Sequence, residues 1–201
     1  MNEKMKSALM YFMMYWLLFG IGVYFGQFIP FTISRVISVV IVITMLATLL
    51  FRFGLPTYLL PIIAAGLGIT SYHFLSFIVS TEGMDYFFSV VILAILMFLT
   101  AGMVGMFVLR DVSNWGRYLL IALIVLIVLS LASMFLPIAG FGKILAIAGL
   151  ILFLLYTVYD FNRMRNDNYQ PAEMGFALFI NLLNIIQDLL YLLREFNNYR
   201  D

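Results

Sequence analysis

Apolar residues run along this chain in long unbroken stretches rather than alternating with polar ones. Reading between charges and breakers marks seven stretches, roughly 8–28, 34–51, 56–79, 86–109, 118–137, 143–165 and 174–194. About 20 apolar residues carry a helix across the hydrocarbon core, and each stretch is close to that length. Strands are excluded, because the runs are continuous and far longer than a barrel strand. The breaks have turn chemistry: "FIPF" at Pro30, "RFGLP" at 52–56, "STEGMD" at 80–85, "RDVSNWGR" at 110–117, "LPIAGFGK" at 136–143 and "NDNYQPAE" at 166–173. The pattern predicts an all-α integral membrane protein, a seven-transmembrane-helix bundle forming a single polytopic domain over 1–201.

Composition agrees. Of 201 residues, 65% are hydrophobic and 10% charged, whereas a soluble domain carries about 25% charged residues. The net charge of +1 provides no basic patch to neutralise phosphates, which argues against a nucleic-acid partner. There are no cysteines, so disulfides, thiolate metal sites and cysteine nucleophiles are excluded. The first apolar run follows a short basic region and continues to about Ile29, longer than the core of a cleaved signal peptide. It reads as a retained first helix.

Lys and Arg positions set the expected orientation. With the amino terminus inside, the inner segments hold Lys4, Lys6, Arg52, Arg110, Arg117, Arg163 and Arg165, and the outer ones Arg35, Lys143, Arg194 and Arg200. Seven against four favours a cytoplasmic amino terminus in a multi-pass protein of the cell membrane, with the acidic Glu82–Asp85 loop outside. Small residues recur in three spans: Gly22 with Gly26, Ala64-Ala65-Gly66 with Gly68, and Ala101-Gly102 with Gly105. They are expected to let helix backbones approach closely, as in ordinary bundle packing.

Few ionisable residues fall inside or near the ends of spans: Asp160 in the sixth, Asp188 in the seventh, and Arg35 and Arg52 at the ends of the second. Each costs about 2.5–3.5 kcal/mol at mid-helix, so it is expected to face the bundle interior, a partner or water. The turn around 166–173 makes helices six and seven an antiparallel hairpin. Positions summing to about 340–344 then lie at equal depth, which sets Asp160 opposite 180–184, including Asn181 and Asn184. Asp188 stacks one turn beyond Asn184, and Tyr156 one turn from Asp160. The hairpin is therefore expected to present Asp160, Tyr156, Asn184 and Asp188 along one polar seam. Carboxylate and amide oxygens suit Ca²⁺, with Asp160 and Asp188 as the expected ligands. Close carboxylates in a dry site also compete for protons. The alternative pairs Asp160 with Arg163 in its own helix, and Asp188 with Arg194 or interfacial water.

Enzymatic signatures are missing. His73 is the only histidine, two residues from Ser71 and so on another side of a helix. No Gly-x-Ser-x-Gly elbow or HExxH helix accompanies it. One histidine cannot build a zinc site, and hydrogen bonding to a neighbouring helix is its expected use. No resident cofactor is expected.

Several stretches, in order, resemble the Bax inhibitor (transmembrane Bax inhibitor motif) family. They are "GQFIP" at 26–30, "GIT" at 68–70, "RDVSNWGRYL" at 110–119, "LYTVYDFNRM" at 155–164 and "LLNIIQDLLYLLR" at 182–194. The resemblance implies seven helices and, from its small bacterial members, a pH-sensitive calcium leak. It places the first aspartate of the family's sensor pair on Asp160. Registering helix seven by Leu192-Leu193-Arg194 places the second on Asn184, where this chain carries an amide. Asp188 then either restores a carboxylate one turn along or leaves the acid pair lost. The family's basic latch near the inner end of helix two falls on Arg52. Two functions follow: a passive, pH-modulated Ca²⁺ leak, or a non-transporting regulator that binds partner membrane proteins such as a membrane protease. Ion movement by the purified protein alone separates them.

Overall fold

The computed structural model describes residues 3–51, 56–133, 140–165 and 169–197. Among them are seven α-helices and no strand: α1 (Glu3–Gly26), α2 (Phe31–Phe51), α3 (Leu59–Glu82), α4 (Met84–Met103), α5 (Trp115–Ser133), α6 (Phe141–Arg165) and α7 (Pro171–Asn197). Six of these, with α4 extended to Val108, are long and apolar enough to cross a membrane. In α2 the apolar stretch Phe31–Met45 is shorter. The seven-helix expectation holds.

Helix ends follow backbone chemistry. The expected 80–85 loop shrinks to one residue, Gly83, at φ 90°, between α3 and α4. A residue without Cβ takes that left-handed conformation at no steric cost, so a single residue breaks the helix. Gly140, at φ 78°, takes the same left-handed conformation at the entry to α6. Pro171 opens α7, where its missing N–H costs nothing. The end of α4 departs from the expected continuous helix: Val104–Val108 forms a wider π-helical turn.

The chain divides into two compact units. The first comprises Met1–Thr81 and Gln170–Phe179. Within it, the early part of α7 packs on α1 through aromatic side chains. Tyr15 and Phe179 are fully buried, the Tyr15 ring meets Phe176 edge-on at 5.4 Å, and Trp16 meets Phe179 at 5.2 Å. The Tyr15 hydroxyl donates to the Ala172 carbonyl at 3.3 Å, which satisfies that polar atom inside the aromatic cluster. The expected small-residue packing joins α1 to α3, where a Cβ at Gly22 would strike the Ala65 carbonyl and one at Gly68 the Phe19 carbonyl.

The second unit comprises Glu82–Tyr169 and Ile180–Asp201. Here α6 packs against α4, its π-helical turn and α5. Gly105 in that turn sits so close to α6 that a Cβ would strike the Val158 carbonyl, and Gly102 backs onto the Phe161 ring. The glycines thus bring the end of α4 against the stretch of α6 that carries Asp160.

Candidate functional site

Asp160 lies five residues from the end of α6, within the second unit, and is 3% exposed. Its Oδ2 accepts a hydrogen bond from Asn181 Nδ2 of α7 at 2.8 Å. Its Oδ1 lies 3.8 Å from Arg163 Nη1, one turn on. That distance is an ion pair at the edge of reach, and the half-exposed Arg163 also stacks its guanidinium 5.5 Å from the Tyr159 ring. The amide is therefore the closer partner of the carboxylate. A charge-assisted bond of this kind is the stronger class of hydrogen bond, and it holds the carboxylate toward α7.

The register of the hairpin is close to that expected, since 160 and 181 sum to 341. The residue facing Asp160 is nevertheless Asn181, one turn before Asn184, which the motif alignment selected. Asn184 instead donates to the Ile180 carbonyl of its own helix at 2.8 Å.

Asp188 is not brought to Asp160. It lies seven residues beyond Asn181, about 10 Å along the helix, and rests over Gly149, where a Cβ would come within 2.5 Å of Oδ2. Arg194, its other expected partner, instead pairs with Glu82 at 3.3 Å. The two carboxylates expected to share a Ca²⁺ thus occupy different levels of the α6–α7 seam. Among the described residues, no group of three or more His, Cys, Asp or Glu is placed to hold a metal. Tyr156 is half-buried, its ring 6.3 Å from that of Phe153. The expected latch, Arg52, lies outside the described residues. Arg35, in the first unit, sits over the Phe31 ring at 4.3 Å. His73 meets Phe31 edge-on at 5.2 Å, and among the described residues its sealed Nε2 has no hydrogen-bond partner.

A second polar group beside Asp160 escaped the sequence reading. Asn162, 1% exposed, donates to the Gly105 carbonyl at 2.9 Å and the Leu109 carbonyl at 3.2 Å, and accepts from the Val112 N–H at 3.3 Å. Arg165 adds bonds to the Met106 and Leu109 carbonyls at 3.3 and 2.9 Å. Carbonyls at a helix end have no partner within the helix, so these side chains of α6 close the end of α4. The available signal was an amide at a near-apolar helix end two residues after a carboxylate. Outside the spans, the Ser113 N–H, with help from its hydroxyl, holds the Asp111 carboxyl below the usual carboxylate range.

The family described as inhibitor of apoptosis-promoting Bax1 matches residues 1–198. The chain belongs to the Bax inhibitor family. It is a multi-pass membrane protein of that family. Uncharacterized proteins from two strains of Helicobacter pylori are each 28% identical to it over 135 residues, 65% of this chain and 57% of the relative. An uncharacterized protein of Campylobacter jejuni is 32% identical over 90 residues, 44% of this chain and 39% of the relative. The chain thus spans a little over half the length of the first of these relatives. As a member of the Bax inhibitor family, it presents one carboxylate and one amide across the α6–α7 seam.

Proposed function

We propose that this protein is a passive cation leak of the cell membrane that passes Ca²⁺ down its gradient, with Asp160 as the ion- and proton-responsive group. The observation that carries the reading is Asp160 itself: a carboxylate 3% exposed inside a membrane-spanning helix, held by the Asn181 amide. A group this costly to place in a bilayer is commonly a functional one. Ca²⁺ is the transported ion, and the single carboxylate and amide would touch it in passing rather than store it. Sites that bind Ca²⁺ firmly gather about six to eight oxygens.

The test is Ca²⁺ entry into dye-loaded proteoliposomes at about pH 6 and about pH 8. Entry above protein-free liposomes at one pH or both, differing between the two, is expected. Folded protein that admits no Ca²⁺ at either pH would assign the chain to the second reading, a regulator acting through partner membrane proteins.

The proposed orientation, amino terminus in the cytoplasm, draws support from the second unit. One end carries Arg110, Arg117, Arg163 and Arg165. The other carries Glu82, Lys143, Arg194 and Glu195, paired as Glu82–Arg194 at 3.3 Å and Lys143–Glu195 at 3.3 Å. The arginine-rich end belongs inside by the positive-inside rule. Because the chain has no cysteine, single cysteines can be read without background. Ser113→Cys is expected to resist an impermeant thiol reagent in intact cells, and Asp85→Cys to react; the opposite labelling reverses the orientation.

A further inference from the structure

Five residues of α7 recur at spacings of three and four: Asn181, Asn184, Asp188, Tyr191 and Glu195. That spacing places them on one face of the helix. Four of the five meet α6. Asn181 bonds to Asp160, Asp188 lies over Gly149, the Tyr191 hydroxyl lies over Gly142, and Glu195 pairs with Lys143. The seam runs from 181 to 195 of α7, 14 steps and about 21 Å of helix, and Asp188 stands midway along it.

The surroundings of Asp188 separate it from the other acids of the seam. Asp160 has an amide donor, and Glu195 has an ammonium. Asp188 Oδ2 is sealed from solvent, and no hydrogen-bond donor reaches it among the described residues. Opposite it, Gly149 offers no side chain. The nearest ionisable groups are engaged elsewhere. On α6, Lys143 pairs with Glu195, and Tyr156 lies seven residues toward Asp160. On α7, Arg194 pairs with Glu82. On α4, the Tyr86 hydroxyl donates to the Leu190 carbonyl at 3.3 Å. No cation among the described residues is therefore paired with this carboxylate. An ionised carboxylate with a sealed, unbonded oxygen inside a membrane is heavily penalised. A divalent ion does not relieve it, because one carboxylate over a glycine offers far fewer than the roughly six oxygens such an ion requires. A proton does relieve it, needing only one oxygen.

We propose that Asp188 is a proton-binding station in its own right, seated on Gly149 and separate from Asp160. With the proton bound, the seam between the Asn181–Asp160 pair and the Lys143–Glu195 pair carries no net charge. The inference stands whether or not the chain conducts ions, because its test reads the carboxyl directly. Infrared spectra of the full chain in lipid bilayers at neutral pH are expected to contain a carbonyl-stretch band from a neutral carboxyl. That band should vanish in Asp188→Asn and persist in Asp160→Asn. A band unchanged in Asp188→Asn, or lost only in Asp160→Asn, overturns the proposal. Gly149→Ala gives a second reading that keeps the acid in place. Its methyl would stand 2.5 Å from Oδ2, so the carboxyl must shift and its band must move in frequency. A band at the wild-type position in that variant counts against the seat on Gly149.

Discussion

Asp160→Asn is expected to flatten the pH dependence of Ca²⁺ entry, bringing the ratio of flux at about pH 8 to that at about pH 6 close to one, while leaving the helices folded. The substitution is nearly isosteric, and its amide oxygen still accepts from Asn181 Nδ2, now 2.8 Å from the carboxylate. What disappears is the ability to change charge. The Arg163 contact, at 3.8 Å and half-exposed on the arginine side, is of the kind that contributes about 0–1 kcal/mol, so its loss should not unfold the bundle. The converse substitution tests the same geometry. Asn181→Asp sets a second carboxylate where the amide now donates, and two like charges at that range cannot both ionise. The pair would share a proton and titrate as a unit. Its protonated form then persists to higher pH, so the midpoint of the flux profile should rise by about one unit or more. A wild-type profile in both variants would remove Asp160 from the pH response, however the chain conducts.

Legibility differed between the fold and the site for a physical reason. Bilayer thickness imposes a length on every span, and turn residues punctuate it, so helix number and approximate ends were readable from composition alone. Gly83 shows the limit: six residues looked like a loop, yet one glycine at φ 90° suffices to separate α3 from α4. The depth of the α6–α7 hairpin was also readable, because a helix rises a fixed 1.5 Å or so per residue and antiparallel neighbours share a constant sum. Depth sets 188 apart from the level of Asp160 but does not choose between 181 and 184, which share its face. That choice belongs to side-chain reach. It gave the Asp160 contact to Asn181, left Asn184 bonded to its own helix, and set Asp188 over Gly149. The π-helical turn at Val104–Val108 had no sequence signature beyond Gly105, since its cause is a partner helix whose side chains donate to its unpaired carbonyls.

Asn162→Leu is expected to produce the largest loss of stability of any single substitution considered for this chain, on the order of 3 kcal/mol or more. The asparagine is 1% exposed and makes three hydrogen bonds, two donated to the Gly105 and Leu109 carbonyls and one accepted from the Val112 N–H. Leucine is similar in size but can make none of them. Each buried partner left unsatisfied costs about 1–3 kcal/mol, although Arg165 still reaches the Leu109 carbonyl and covers part of the deficit. Asn162→Asp keeps the bond accepted from Val112 but sets a buried oxygen against the Gly105 and Leu109 carbonyls. Reversible unfolding in detergent should therefore rank wild type above both variants. Amide hydrogen exchange should locate the loss at residues 104–112, the turn that Asn162 closes. Equal stability of wild type and Asn162→Leu would mean that the end of α4 is held by Arg165 and the Gly105–Val158 backbone approach alone. The coupling would then pass through that glycine rather than through the buried amide two residues from Asp160.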